Sequence, residues 1–239
     1  SLDDIAKPNF EGAKYVYSPP VRDKSNWEIL WNAVRTDVLS VISTDHCAFL
    51  FDGQKTLGKD DFSKIPNGGP GLENRLQMLH QFGVREGRIS LNRMVELLAT
   101  NPARLFGLYP RKGTIAVGSD ADIVVFDPEK QVTLSAKTHH SKSDYNLYEG
   151  TTVTGSPEVV LLRGHVLVEH DELVASPGVG RVVRRARFGE EPKPEPVAPP
   201  QSRPPLLRVR GPTGRLPPPP PLPFAVPTPP PPPPAGRTA

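Results

Sequence analysis

The sequence predicts an α/β domain followed by a smaller antiparallel β region, and three observations carry that prediction. An apolar, β-branched run, "VLSVIS" (38–43), comes directly after "NWEILWNAV", whose apolar residues recur at helical spacing. Two further segments, "LENRLQMLHQF" (72–82) and "SLNRMVELLAT" (90–100), show the same i, i+3, i+4 repeat. From residue 111 the texture changes to short β-branched runs separated by Gly, Asp and Pro. Strand, helix and strand in that order imply a parallel α/β unit, whereas closely spaced short strands imply antiparallel pairing.

Taken in order, "AKYVYSPP" (13–20) predicts a short strand closed by two prolines, which cannot continue a ladder and force extended geometry on the residue before them. Ser25 has the type and place of a helix N-cap, with Ile29, Leu30, Ala33 and Val34 forming the apolar face behind it. The run at 38–43 is the pattern of a strand covered on both faces. Ser90 predicts the cap of the helix over 91–100, and "NPARLFGLYP" predicts a short helix opened by proline and stopped by Gly107. Antiparallel strands follow in "RKGTIAVGSDADIVVFDPEKQVTLSA" (111–136) and "VVLLRGHVLVEHDELVA" (159–175), with turns at Arg163-Gly164 and His170-Asp171. They are too few to close two sheets, so this region predicts one part of a small sandwich. The domain boundaries expected are 1–106, 107–189 and 190–239.

The last region differs in kind. Of the 31 prolines, 21 fall at or after Pro192, so no core forms there and a disordered, polyproline-rich tail is expected. Such runs dock in aromatic grooves of SH3 or WW type, but an unstructured extension or an out-of-frame translation is the preferred reading. From Glu190 onward six Lys or Arg face three Glu, leaving 23 of each sign in residues 1–189. A neutral folded part does not argue for a nucleic-acid surface, and the arginines of "RVVRRARFG" (181–189) read as a solvated domain edge. One cysteine excludes an internal disulfide framework and fits a reducing cytoplasm. No apolar stretch approaches the roughly 20 residues of a membrane span. The abrupt start at Ser1 predicts that an N-terminal portion precedes it.

The chemistry-bearing candidates lie where the 38–43 run stops, in "STDHC". Asp45 stands at a strand end, where a carboxylate can bind a metal and accept a proton from metal-bound water. Asp also terminates strands in ordinary turns, and position alone favours neither reading. His46 and Cys47 are poorer ligands, because neighbours on an extended chain point opposite ways. With one Cys and no His-x-His pair, a thiolate zinc site has no basis, so Cys47 reads as a small buried side chain. "THH" (138–140) reads as a surface element. "KIPNGGPG" (64–71) offers exposed backbone and the Asn67 amide, yet lacks the order of a phosphate-binding loop and reads as a connection.

Six blocks together, "YVYSPPVR", "LWNAVRTDVLSVISTDHCAF", "LGKDDFSKIPNGGPGLENR", "ATNPARLFGLYPRKGTIAVGSDADIVVFDP", "SAKTHHSKSDYNLYEG" and "GSPEVVLLRGHVLVE", resemble the C-terminal part of the dihydropyrimidinase and hydantoinase family of cyclic amidohydrolases. The resemblance runs from near the first residue to about Gly189. It implies the C-terminal part of a (β/α)8 TIM barrel with a binuclear zinc centre, a small β-sandwich and a homotetramer. It further implies that a metal-bridging hydroxide opens a dihydropyrimidine or hydantoin ring to an N-carbamoyl amino acid. By motif match, Asp45 corresponds to the aspartate that ligates one zinc and carries the proton to the leaving nitrogen. Ser18 in "YSPP" and Asn67 in "PNGGPG" correspond to positions whose backbone groups hold the substrate's imide edge.

The family's His-x-His pair, carboxylated lysine, later histidines and carbonyl-polarising tyrosine would all lie upstream of the match, so this chain alone is expected to be inactive. The resemblance also leaves a rival of another class, since animal relatives of the family are tetrameric, non-catalytic scaffold proteins with Pro-containing tails. A scaffold has no need of a carboxylate at the position of Asp45, which favours the enzyme. With only part of a barrel present, apolar strand faces are expected to be exposed.

Overall fold

The computed structural model describes residues 1–187. The tail expected over 190–239 lies outside the described residues. The helical elements are α1 (Leu2–Ile5), α2 (Trp27–Arg35), α3 (Arg75–Leu79), α4 (Leu91–Val95) and α5 (Asn101–Leu105). The strands are β1 (Ile123–Thr133), β2 (Thr152–Leu162), β3 (His165–Glu169) and β4 (Glu172–Leu173), in one antiparallel sheet of that order. No helix among the described residues is long and apolar enough to cross a membrane.

Asp23, two residues earlier than expected, opens the α2 region: its carboxylate accepts from Ser25 N at 2.9 Å and caps a 3-10 turn over Lys24–Asn26, so Ser25 lies inside the turn. Ser90 caps α4 as its sequence position predicts, its hydroxyl accepting from Arg93 N at 3.1 Å. Both α3 and α4 widen into π turns, over His80–Arg85 and Glu96–Thr100. Pro102 sits in the first turn of α5, and Gly107, at φ 67°, follows its C-terminal end. Val34, Leu79, Ile89, Met94 and Leu97 form the core of the helical layer, with Trp31, Ile42, Leu76, Val84 and Leu98 packed against it.

Neither strand expected in the α/β region forms a ladder. Residues 11–15 make a 3-10 turn, and 38–50 run without regular structure. Ile42 packs on the helical core and its N–H donates to Leu97 O at 3.2 Å, so the 38–43 run lies on the helices as a barrel strand would. Its other side is open: Val38 is 77% exposed. An apolar run signals burial, but a strand also needs neighbouring strands to form a ladder, and the described residues place none beside it. The expected exposure of apolar faces is thus present, at Ile29 (70%) and Phe62 (85%) as well.

The sheet follows the sequence pattern at its turns, but residues 111–122 form no strand and β2 begins at Thr152, ahead of the 159–175 run expected to start it. Two-residue turns join β2 to β3 at Arg163-Gly164 (φ 49° and 79°) and β3 to β4 at His170-Asp171 (φ 50° and 65°). Positive φ at both central residues is the type I′ geometry that matches strand twist. Pro128 falls at an irregularity between β1 and β2, where no ladder donor is required and Asp127 accepts from Glu129 N at 2.8 Å. The sheet docks on the helices through Gln77 Nε2 to Ser156 Oγ (3.0 Å), Thr154 N to Gln81 Oε1 (2.9 Å) and the His80 ring at Thr154 O (2.7 Å). Gly155 is required there: at φ 103°, a Cβ would stand 2.2 Å from His80 Nδ1. The arginines of 181–187 are exposed, as expected of a domain edge, while Ala186 N bonds Gly107 O at 2.9 Å.

Candidate active site

Three loop segments meet on one side of the helical layer: 16–18, 45–47 and 64–71. Gly68 N donates to Val16 O at 3.0 Å, and Cys47 N donates to Gly69 O at 3.3 Å, so the glycine loop is stitched to both of the others. Glycine is needed on both of its central residues. A Cβ on Gly68, whose φ is 141°, would lie 2.4 Å from Cys47 O, and one on Gly69 would lie 2.8 Å from the Tyr17 ring and hydroxyl. The loop that reads from sequence as a plain connection is therefore a closely seated element.

These contacts bring the backbones carrying Ser18, Asp45 and Asn67 together, since each lies within two residues of a stitched position. All three residues are exposed. Asp45 takes φ 47°, the left-handed region that Asp tolerates better than most residues but that still costs about 1 kcal/mol. Among the described residues its carboxylate has no hydrogen-bond or ionic partner. A carboxylate that merely terminated a strand would be expected to accept from nearby backbone N–H groups. Asp45 accepts none and is left available to an incoming group.

His46 has a task that sequence reading missed. Its Nδ1 accepts from Gly71 N at 3.2 Å and Leu72 N at 3.3 Å, which pins the far end of the glycine loop and requires the tautomer protonated on Nε2. Cys47, expected to be buried, is exposed along with its neighbours Asp45, His46 and Ala48, because this segment has no covering layer among the described residues. The "THH" histidines act in structure and not in ligation. His140 Nδ1 pairs with Glu73 Oε1 at 2.6 Å while its Nε2 meets Asp171 O at 2.9 Å, and His139 Nε2 meets Ser143 O at 3.0 Å.

The most unusual group here is Lys55, which is 0% exposed. Its ammonium donates to Pro66 O at 2.8 Å and Val16 O at 3.2 Å, and it forms no ion pair with a carboxylate of the described residues. Burial disfavours the charged form, and pushes this amine down to about 8. No sequence signal marks it, since a lysine in a polar loop is normally solvated.

A metal test follows from the donor set. Among the described residues no group of three or more His, Cys, Asp or Glu is placed to hold an ion. Asp45 stands as a single carboxylate, and one carboxylate does not hold a metal against water.

Residues 18–167 match the model of the amidohydrolase family. This chain belongs to the amidohydrolase family. The amidohydrolase chain is 53% identical over 185 residues to a D-hydantoinase of Geobacillus stearothermophilus, the match covering 77% of this chain and 39% of that protein. It is 41% identical over 190 residues to a dihydropyrimidinase of Arabidopsis thaliana, covering 78% of this chain and 36% of the relative. In structure it superposes on a D-hydantoinase with a TM-score of 0.78 at 51% identity, and on a dihydropyrimidinase from Brevibacillus agri with the same two values; each covers 80% of this chain and 41% of the other. The amidohydrolase chain thus spans about two fifths of the length of these relatives, the extent expected of a C-terminal portion. These neighbours give it a TIM-barrel-type α/β fold.

Proposed function

We propose that the complete protein to which this segment belongs hydrolyses the cyclic amide bond of dihydropyrimidines and hydantoins to N-carbamoyl amino acids. The observation that carries the reading is Asp45, an exposed and unpartnered carboxylate at φ 47°, held beside the Ser18 and Asn67 loops by two backbone bonds. The names of the relatives, D-hydantoinase and dihydropyrimidinase, support the substrate class. The same carboxylate favours the enzyme over a non-catalytic scaffold, which would have no use for it.

The residues described here do not fit a binuclear zinc centre by themselves. We assign two zinc ions to the complete protein, with Asp45 as one donor and the remaining donors outside this chain. When bound, zinc would lower the pKa of a water and polarise the ring carbonyl. Within this chain, Asp45 takes the proton of the attacking water as the carbon–oxygen bond forms. It returns that proton to the ring nitrogen as the carbon–nitrogen bond breaks. The backbone at Ser18 and Asn67 holds the imide edge, whose N–H and carbonyl groups need complementary main-chain partners.

In this reading residues 1–106 complete the barrel, and the described part of 107–189 supplies one sheet of a small β-sandwich. We also propose that the complete protein works in the cytoplasm as a homotetramer. The test is a chimaera in which residues 1–187 replace the matching segment of the Geobacillus stearothermophilus D-hydantoinase. It should hydrolyse hydantoin or dihydrouracil and bind zinc. A folded, zinc-loaded chimaera that hydrolyses neither ring would refute the assignment.

A further inference from the structure

We infer that Lys55 is a positioning residue: its buried ammonium clamps the two backbone segments that carry Ser18 and Asn67, and so sets the spacing between the groups that receive the substrate's imide edge. The inference rests on the substrate-binding role proposed above for those two segments. Its basis is geometric. Lys55 Nζ donates to Val16 O (3.2 Å), two residues before Ser18, and to Pro66 O (2.8 Å), the residue directly before Asn67. One ammonium therefore bridges the two segments, alongside the Gly68 N to Val16 O bond at 3.0 Å.

The chemistry suits fixing a distance better than it suits stability. A lysine side chain buried at 0% exposure, whose hydrogen-bond acceptors among the described residues are two carbonyls, gives up its hydration without the return of a carboxylate pair. An ammonium has three N–H donors on a single point, and two carbonyls converging on that point are held within a few ångströms of each other. The lysine's own loop is anchored independently, by Lys55 N to Leu50 O (3.0 Å) and Thr56 N to Phe51 O (3.1 Å), so the clamp is built on a braced support. Lys55 reaches the two carbonyls from behind, in the interior, and leaves the exposed faces of Ser18 and Asn67 open to a ligand.

The test uses the zinc-loaded chimaera with Lys55→Met, which keeps the side-chain length and removes the donors, and with Lys55→Gln as a second variant. Lys55→Met should raise KM for hydantoin at least tenfold while zinc content stays unchanged and kcat stays within threefold. Exchange of the Gly68 amide with solvent, followed by mass spectrometry or NMR, should accelerate at least tenfold. Lys55→Gln, which retains an amide donor, should fall between the two. Unchanged KM and Gly68 exchange would overturn the inference. So would failure of both variants to accumulate as folded protein, or a loss of zinc, kcat and melting temperature together, because each would make Lys55 a structural residue only. Absence of hydrolysis by the unsubstituted chimaera would tell instead against the function on which the inference rests. The Gly68 exchange rate would still decide whether Lys55 holds the two segments.

Discussion

Replacing Gly68 by alanine should damage the candidate site out of proportion to the single methyl added. The Cβ would stand 2.4 Å from Cys47 O and 2.9 Å from Cys47 Cβ, roughly 1 Å short of ordinary van der Waals contact, and the nearest atom is backbone with no rotamer to yield. A φ of 141° is also one that an L side chain rarely adopts, so strain of about 1–3 kcal/mol is added even where space is found. The glycine loop must then lift away from Cys47, lengthening the Cys47 N to Gly69 O and Gly68 N to Val16 O bonds that set its place. A displacement of about 1 Å in a positioning element costs on the order of a hundredfold in rate. In the chimaera, Gly68→Ala should therefore lose about 1–3 kcal/mol in urea unfolding and about a hundredfold in kcat/KM for hydantoin. Full stability with kcat/KM within threefold of the parent would refute the seating of the loop against Cys47 and the role given to it.

Two further outcomes test the packing. Leu97 is 0% exposed at the centre of the helical core, so Leu97→Ala should cost about 2–5 kcal/mol in urea unfolding, and a loss below 1 kcal/mol would show that the π turn after α4 does not anchor the layer. Burial pushes the Glu73 carboxyl up, but bonds from His140 and Ser141 more than reverse this and hold it below its ordinary 4.5; the Glu73 bond raises His140 above 6.5. The depressed carboxyl contributes stability above pH 4.5, lost as pH falls through its folded value. The raised imidazole contributes fully below pH 6.5, lost as pH rises through its own. Glu73→Gln should thus lower the melting temperature most between those two values, by an effect of up to about 1 kcal/mol for a partly exposed pair. An equal loss at pH 5.5 and pH 9 would contradict the ion pair.

The parts of the fold that could be read from the sequence were those set by local rules. Helical repeats located α2, α3 and α4, Ser90 announced its own cap, and Arg163-Gly164 and His170-Asp171 marked turns whose left-handed backbone the structure confirms. Ladders were less legible. The apolar run 38–43 correctly signals contact with the helical core through Ile42, but its backbone partners are a property of other strands. In the site, the residue types at Asp45 and the glycine loop were visible, and their seating against Val16 and Cys47 was not. Lys55 and His46 went unseen for a different reason: burial of a loop lysine, and an imidazole nitrogen that accepts from two backbone N–H groups, arise only when distant segments close on them.

The central claim is that Asp45 is a working carboxylate of the hydrolytic site, and Asp45→Asn in the zinc-loaded chimaera tests it most directly. Because Asp45 is exposed and has no partner among the described residues, the account predicts an unchanged melting temperature for the zinc-free form of the chimaera. It predicts at the same time a fall of at least about a hundredfold in kcat, the scale of a lost general acid–base. Hydrolysis of hydantoin at the parent rate by the folded variant would contradict it.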